Sequence, residues 1–354
     1  MNQHKRLVAL LKPHLGWHGA RLNFLALFLL ALVRVKTVNL SALAVGLSGQ
    51  VEKDSNYKRL QRFFRLFEMD YTVVAHAVVA LMRIPQPWVL SLDRTEWEFG
   101  SHHYNILMLG IVHEGVAFPV VWTMLDKQGN SNTEERIDLL ERLTRIFPHA
   151  EITYLTGDRE FIGQVWVSYL RLSPAVPFRL RLRCSDRIAR EAESLKASVL
   201  FAHLPVGESQ VLKGRCRVWG YEVGVAALRL QDGELLVVIG PQAQEESLIA
   251  DYAARWGIET LFGILKTRGF CLESTHFTEA QRLSKLLALL ALALCWTMLT
   301  GLWLHQHKPL SIKKHDRRAK SLFRYGFDHL RHIILHLDSQ TSQFFEVLQL
   351  LSCT

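Results

Sequence analysis

The sequence predicts an α/β fold in which helices surround a mixed sheet. Two observations carry this prediction: stretches of strand-forming residues bounded by turns, and stretches with helical spacing between them. The strands are predicted over 88–93, 104–113, 117–125 and 152–157. The helices are predicted over 131–147 and 161–172. Ser131 or Asn132 could cap the first of these helices, and Glu134 stands three residues after Ser131, as a capping box requires. Three strands, a helix, a strand and a helix, in this order, are typical of a ribonuclease H-like core.

Five segments are predicted along the 354 residues, which exceed the length of one average domain. We expect a helical region at 1–85, the first part of the core at 86–176 and a β-strand insertion at 177–240. The second part of the core follows at 241–307, with one long helix over 245–268. A basic linker and terminal helices at 308–354 complete the chain.

The net charge of +9 is concentrated towards the two ends. Residues 1–70 hold eleven Lys or Arg against four Asp or Glu, and residues 305–331 hold eight against two. The remaining centre is mildly acidic. Basic flanks attract polyanions, so we expect the ends to hold nucleic acid. The alternative interpretation is a solvated basic surface without a partner.

Basic side chains at both ends are the candidate DNA contacts. A basic amphipathic helix over 55–68 follows a helix over 38–48, a pattern compatible with a helix-turn-helix DNA reader. In that second helix the candidates are Lys58, Arg59 and Arg62. In the C-terminal linker they are Lys313, Lys314, Arg317 and Arg318.

Several classes of site are excluded by pattern. The five cysteines are widely spaced and form no C-x-x-C pair, which argues against structural zinc. The sequence contains no P-loop, so we expect no nucleotide cofactor. Reduced thiols and the absence of a signal-peptide pattern indicate a cytoplasmic protein.

The apolar stretch 286–304 has two interpretations. Nineteen residues without a charge are long enough to cross a membrane. The same pattern is typical of a helix that is buried on every side. We favour burial, and expect no membrane, because only a short connection separates this stretch from the motif at 252–266, which a membrane span would pull away from its sheet.

Two aspartates follow predicted strands. Asp93 ends the first strand and Asp158 directly follows the fourth. If those strands are parallel neighbours, both carboxylates lie at the same carboxyl edge of the sheet, where such folds bind ligands. Either aspartate alone indicates little, because Asp is common in turns.

A third carboxylate belongs to a helix with a distinctive surface. At about 100° per residue, Tyr252, Arg255, Glu259 and Lys266 fall in one stripe about 60° wide. An exposed Arg255–Glu259 pair would explain the charges alone, but not the positions of Tyr252 and Lys266. Transfer of a DNA phosphodiester requires an activated nucleophile and a neutralised transition state, which two Mg²⁺ ions on three carboxylates provide.

The spacing Tyr252-x2-Arg255-x3-Glu259-x6-Lys266 resembles the Y-R-E-K signature of bacterial insertion-sequence transposases of the family numbered four, which includes Tn-five-like transposases. Four fixed residues recur by chance about once in 10⁵ starts. The residues Asp93-Arg94-Thr95 and Asp158-Arg159-Glu160-Phe161 are similar to the D-x-T and D-R-E-F motifs of this family. The resemblance extends over nearly the whole chain.

This resemblance implies a cut-and-paste DDE transposase. Asp93, Asp158 and Glu259 would be its catalytic metal ligands for two Mg²⁺ ions, which Mn²⁺ can replace. Tyr252, Arg255 and Lys266 would contact the transposon end. Some relatives carry a further basic residue where this chain has Gly263.

The implied reaction begins on double-stranded DNA at the terminal inverted repeats and ends with transfer of the 3′ ends to target DNA, in the nucleoid of a bacterium. Relatives cut through a hairpin, with a base extruded onto an aromatic ring. Trp219 is our candidate for that ring, although ordinary strand packing also explains it. Trp256 is expected to pack the helix.

Joining two ends requires two active sites, so a homodimer on DNA is expected. The apolar stripes of the terminal helices, 321–336 and 340–351, are candidates for pairing, unless they close the core of their own chain. Three rival functions remain: a silent or domesticated DNA-binding protein on the same fold, a membrane protein, and a metal-free hydrolase. The last leaves Arg255 and Lys266 unexplained.

Overall fold

A computed structural model describes residues 3–47, 51–172, 175–191, 193–314 and 317–352. The chain divides into two compact units. The first consists of Met1–Ile84, Trp97–His102 and Leu261–Thr354, and the second of Pro85–Glu96 and His103–Thr260.

Helices and strands are numbered in chain order. The first half contains α1 (Gln3–Leu15), α2 (Gly19–Val35), α3 (Leu40–Gly46), α4 (Lys53–Leu66), α5 (Tyr71–Met82), β1 (Trp88–Phe99), β2 (His102–His113), β3 (Val116–Met124), α6 (Thr133–Ile146), β4 (Ile152–Gly157) and α7 (Gln164–Leu172). The second half contains β5 (Phe178–Arg181), β6 (Arg187–Arg190), β7 (Glu193–Lys196), α8 (Ala197–Leu200), β8 (Ser209–Val218), β9 (Tyr221–Arg229), β10 (Leu235–Gly240), α9 (Leu248–Tyr252), α10 (Trp256–Gly263), α11 (Ala280–His307), α12 (Leu322–Leu335) and α13 (Thr341–Gln349). Short 3₁₀ turns cover Ala253–Arg255 and Leu272–Ser274, and a π-helical turn covers Ile264–Arg268.

One sheet organises the second unit. Its strand order is β3-β2-β1-β4-β5-β10-β9-β8-β6-β7. Strand β4 runs parallel to β1 and to β5, whereas β2 and β3 are antiparallel. The order β3-β2-β1-β4-β5 is that of a ribonuclease H-like core, so the predicted fold class is confirmed. The predicted insertion at 177–240 includes β5, which pairs parallel with β4, and β10 pairs antiparallel with β5, so this segment continues the same sheet.

Helix α6 begins with a capping box that lies one residue later than the sequence pattern predicts. Asn132 Oδ1 accepts a hydrogen bond from Glu135 N, and Glu135 Oε2 accepts one from Asn132 N. Such reciprocal bonds satisfy two backbone donors that the first turn of a helix leaves open. The box expected from Ser131 and Glu134 is therefore wrong, and Ser131 is available for other contacts.

The apolar helix α11 is the core of the first unit. Within its most apolar 18-residue window, which has a mean hydropathy of 2.0, 83% is buried. By length and composition the helix passes as a membrane span, but helices α2, α4, α5 and α12 pack against it. Contacts that cover an apolar helix on all sides explain a uniformly apolar surface. The burial predicted for 286–304 agrees with this packing.

Helices α11 and α12 cross at two glycines. A Cβ at Gly301 would overlap the backbone oxygen of Leu322, and a Cβ at Gly326 would overlap the backbone oxygen of Thr297. Backbone atoms cannot move aside as a flexible side chain can. The close approach of these two helices therefore depends on both glycines.

We predict that Gly301→Ala or Gly326→Ala lowers the free energy of unfolding by about 1–3 kcal/mol, because the two helices must separate. Gly19→Ala is the matched control, since Gly19 lies at the start of α2 and a Cβ there would meet no atom within 4 Å. Denaturation midpoints of the three variants measure the effect. Equal midpoints for Gly326→Ala and Gly19→Ala would contradict the close crossing.

Candidate active site

The two aspartates emerge side by side from neighbouring parallel strands. The last paired residues of β1 and β4 are Leu92 and Gly157, which lie opposite each other. Asp93 and Asp158 are the next residue on each strand. The expected common edge is thus present, but Asp93 does not end a strand, because β1 continues to Phe99. What ends at Asp93 is the pairing with β4.

The predicted long helix over 245–268 is broken into turns of different pitch. The α9 helix leads into a 3₁₀ turn at Ala253–Arg255, and α10 leads into a π-helical turn at Ile264–Arg268. Residues in 3₁₀ and π turns are not spaced by 100°, so the single stripe expected from Tyr252 to Lys266 is wrong in its geometry. Arg255 and Glu259 still lie one turn apart and form an ion pair.

A buried guanidinium joins two of the three carboxylates. Arg255 Nη1 donates to Asp93 Oδ2 at 3.4 Å, and Arg255 Nη2 donates to Glu259 Oε1. Arg255 is only 7% exposed, whereas the Glu259 side chain is 36% exposed, so the guanidinium is buried but one of its partners reaches solvent. Its Cζ also lies 5.4 Å from the ring centroid of Trp256. Within the described part of the chain, Arg255 Nε is buried and has no hydrogen-bond partner.

The remaining carboxylate, Asp158, has a different set of partners. Tyr252 OH donates to Asp158 Oδ1 at 3.3 Å, and Arg181 Nη1 lies 3.7 Å from the same oxygen. Arg181 Nη2 also pairs with Glu234 Oε1 at 2.6 Å. Burial raises the pKa of Tyr252, so its hydroxyl keeps its proton and can donate. Arg181 was not predicted from the sequence, since nothing in its spacing ties strand β5 to Asp158.

The carboxyl group of Asp93 lies among other acids. Burial is the main reason that its pKa is raised to about 6, and the charges of Asp158 and Glu259 add to the rise, whereas the Arg94 backbone and Arg255 oppose it. Mutual repulsion between carboxylates has this effect on a pKa. The three acidic groups therefore form one electrostatic cluster that is short of positive charge.

The acidic cluster has the oxygen donors that a divalent metal ion prefers. Among the residues described, no group of three His, Cys, Asp or Glu side chains is arranged to hold a metal ion in the conformation seen. In this conformation the guanidinium of Arg255 lies between two of the candidate ligands and pairs with both Asp93 and Glu259. The carboxylate oxygens fit a divalent metal ion, which would replace the Arg255 guanidinium as the positive charge beside Asp93 and Glu259.

Glu160 holds the loops beneath the cluster, a role that was not predicted from the sequence. It accepts hydrogen bonds from Arg94 Nε at 3.2 Å, Ser131 N at 2.9 Å and Ser131 Oγ at 3.1 Å. Arg94 follows Asp93, and Glu160 lies two residues after Asp158. The signal that could have revealed it is the acidic third residue of Asp158-Arg159-Glu160-Phe161.

A polar cavity of about 500 Å³ opens at Asp158. Its lining residues are Asn130, Asp158, Arg159, Glu160, Arg181, Leu182, Arg183, Cys184 and Leu235. Three arginines line this cavity, and two of them, Arg159 and Arg181, pair with Glu234. Guanidinium groups of this kind can also bind a phosphate group.

The other predicted contacts lie elsewhere in the chain. Lys266, in the first unit, pairs with Glu273 Oε1 at 3.0 Å, and its Nζ lies 5.3 Å from the ring centroid of Trp97. Lys58 and Arg62 are exposed on α4, and Arg59 is half-buried. The linker residues Lys313, Lys314, Arg317 and Arg318 are exposed, and Lys313 N donates to Arg317 O.

The two tryptophans differ from expectation. Trp219 is half-buried at the turn between β8 and β9, with φ at 50° beside Gly220 at 85°, rather than inside a strand. Positive φ at both central residues is typical of a two-residue hairpin turn. Trp256 is expected to pack the helix, but it is 61% exposed, so that expectation is wrong.

Comparison with known proteins gives one family and one structural likeness. The family described as transposase DDE domain matches residues 84–296, which include Asp93, Asp158 and Glu259. No curated protein matches the sequence. Among solved structures, the chain is similar to the piggyBac transposase in a cryo-EM synaptic complex with hairpin DNA. The identity is 11% and the TM-score 0.48, over 93% of this chain and 75% of that chain.

We predict that Glu160→Ala lowers the free energy of unfolding by about 1–3 kcal/mol, because it leaves the donors of Arg94 and Ser131 without their acceptor. Glu208→Ala, on an exposed turn, is the control and should leave stability nearly unchanged. Thermal unfolding of both variants measures the difference. A Glu160→Ala variant as stable as the control would show that this carboxylate does not hold the loops.

Proposed function

Because the chain belongs to the transposase DDE domain family, we propose that it is the cut-and-paste transposase of a bacterial insertion sequence of the family numbered four. It binds terminal inverted repeats, cleaves the DNA there and transfers the 3′ ends to target DNA. One observation carries the proposal: Asp93 and Asp158 follow paired residues of neighbouring strands, and Arg255 joins Asp93 to Glu259 on a separate helix. The spacing of Tyr252, Arg255, Glu259 and Lys266 supports the narrower family.

Asp93, Asp158 and Glu259 are the residues that would hold the metal ions. Two Mg²⁺ ions, or Mn²⁺ in their place, would activate a water or a DNA 3′-hydroxyl near neutral pH and would neutralise charge on the reacting phosphate. The role of the protein is to present three carboxylates close together at one edge of the sheet. The Glu259 side chain is partly exposed, so a metal ion from solvent can replace Arg255 as its partner without passing through the core.

Arg255 and the arginines of the polar cavity would bind the DNA backbone. Arg255, when released from Glu259, keeps a planar fork of donors that matches a phosphate group. Arg159, Arg181 and Arg183 line the cavity beside Asp158. The hydroxyl of Tyr252, which remains protonated, orients Asp158 by donating to it. Lys266 is proposed to contact the transposon end as the signature implies.

Binding of the inverted repeats is assigned to the basic ends of the chain. Lys58 and Arg62 project from the exposed side of α4, opposite the buried Leu60, Phe63 and Phe64. A rigid amphipathic helix with one basic side suits contact with a duplex. The exposed basic linker, with Lys313, Lys314, Arg317 and Arg318, would add sequence-independent phosphate contacts.

Pairing of two ends requires two copies of the chain, and a homodimer on DNA is part of the proposal. The apolar stripes of α12 and α13 are not free for this purpose, because Phe323, Phe327, Leu330, Phe344 and Val347 are buried within the chain. A second copy would have to bind another surface or be held through DNA.

A second candidate function is a catalytically silent DNA-binding protein on the same fold. The observation that favours it is the guanidinium of Arg255, which binds two of the three carboxylates that the reaction needs. Metal-dependent nicking of DNA separates the two functions, since a silent protein binds DNA without cutting it.

For the catalytic carboxylates, we expect Asp93→Ala, Asp158→Ala or Glu259→Ala to abolish cleavage and joining while binding of the ends survives. Each change removes a proposed metal ligand. Asp138→Ala, at an exposed aspartate of α6, is the control and should retain activity. The measurement maps cleaved bonds on the element's own ends with Mg²⁺. Near-normal cleavage by any of the three variants would refute the role of that residue.

For the hairpin route, an exposed aromatic ring near the cluster is needed to hold the extruded base. Trp256 directly follows Arg255 and is 61% exposed, so it offers more ring surface than the half-buried Trp219. Stacking contributes about 1–3 kcal/mol, so Trp256→Ala should slow hairpin formation or resolution roughly 5- to 150-fold. Trp219→Ala, assayed in parallel, tests the ring that the sequence favours. If only Trp219→Ala slowed the hairpin steps, Trp256 would lose the assignment.

A further inference from the structure

Strand β8 contains a bulge of basic residues far along the sheet from the acidic cluster. Leu212 pairs with Val225 and Cys216 pairs with Val223, so three residues of β8 face the single residue Gly224 of β9. The three residues are Lys213, Gly214 and Arg215. A bulge pushes its extra residues out of the pleat and redirects their side chains.

Two features fix the shape of this bulge. Gly214 has φ at 89°, a conformation that other residues rarely adopt. Arg190 Nη2 donates to Lys213 O at 3.0 Å, and the neighbouring strand β6 places Arg190 opposite Cys216. The bulge is therefore a held conformation and not a loose loop.

The bulge borders an open cleft of about 370 Å³ with excess positive charge. The cleft is lined by Ala189, Arg190, Glu191, Lys213, Gly214, Arg215 and Arg217. Glu222 lies 3.3 Å from Arg217 and 4.0 Å from Arg215, Glu191 lines the cleft, and Glu193 lies opposite Arg190 on β7. Four cations against three carboxylates leave the cleft with a small excess of positive charge. Arg215 is 78% exposed, so its charge is directed to solvent.

The sheet fixes how far the bulge lies from the acidic cluster. Gly157, Leu180, Ile239, Val225 and Leu212 form one continuous row across β4, β5, β10, β9 and β8. Gly157 precedes Asp158, and Leu212 precedes the bulge. Four strand spacings of about 4.8 Å separate β4 from β8, a distance of about 19 Å. At about 3.4 Å per base pair, this span corresponds to roughly six base pairs of duplex.

We propose that the β8 bulge, with Lys213, Arg215 and Arg217, binds the phosphate backbone of duplex DNA about six base pairs from the bond that is cut. The inference rests on the proposed function and adds a contact surface to it. The proposed ligand is the phosphate backbone, because exposed cations around an open cleft attract the phosphates of a duplex of any sequence. Cations on flexible stems bind phosphates without reading sequence.

The first test measures binding of the full chain to a labelled 40-base-pair duplex of arbitrary sequence across a range of NaCl concentrations. Each lost phosphate contact reduces the log–log salt slope by about 0.9. Arg215→Ala should reduce the slope by about one, and the double variant Lys213→Ala/Arg215→Ala by about two. Arg145→Ala, at an arginine of α6 that is 68% exposed, is the matched control and should leave the slope unchanged.

The second test locates the contact on the element's own end by phosphate ethylation interference. Ethylation about six base pairs from the cleaved bond should weaken binding of the parent protein but not of Lys213→Ala/Arg215→Ala. An unchanged salt slope in the double variant overturns the inference even if the protein cleaves DNA. If the parent binds DNA but never cuts it, the proposed function fails while the salt slopes still decide whether the bulge binds phosphate.

Discussion

The ion pairs of one buried arginine constrain the rest of the site. Asp93 and Glu259 come from a strand and a helix, and both carboxylates contact the guanidinium of Arg255. Burying such charges without a partner would cost several kcal/mol, so the fold must bring the strand edge and the helical turn together. Lysine cannot replace this arginine, because an ammonium group has no planar fork to bind two separate acids. The register of β1 with β4 and the position of α10 both satisfy this requirement.

Much of the core was predictable because its signals are local. Strand patterns placed β1 to β4 nearly correctly. The spacing of Tyr252, Arg255 and Glu259 indicated residues of which Tyr252 binds Asp158 and Arg255 binds Asp93 and Glu259. Apolar length alone indicated that α11 is either buried or membrane-spanning. The observed capping box lies one residue after the predicted one. Ser131 and Asn132 are both good N-cap residues, and only the tertiary contact of Ser131 with Glu160 decides between them.

The remaining features depend on contacts between residues far apart in sequence. Glu160 and Arg181 bind partners on other strands and loops, and the spacing of residues along the sequence does not predict such pairs. The helical pitch around Glu259 changes from 3₁₀ to α to π, whereas the sequence pattern predicts a uniform helix. Burial is the usual state of tryptophan and was the natural expectation for Trp256, but a functional surface can expose such a ring. Exposure against this tendency is itself a reason to test Trp256.

The crossing of α11 and α12 through paired glycines has a consequence for the synthesis of the protein. Helix α11 is made before α12, and at about 5–20 residues per second the ribosome needs roughly 1–6 seconds to produce the 28 residues that end with Leu335. During that interval one side of a helix with the hydropathy of a membrane span lacks its cover. Nascent chains at this stage are open to chaperones, to the translocon and to one another, so the yield of folded transposase in a cell depends on how quickly Gly326 reaches Gly301.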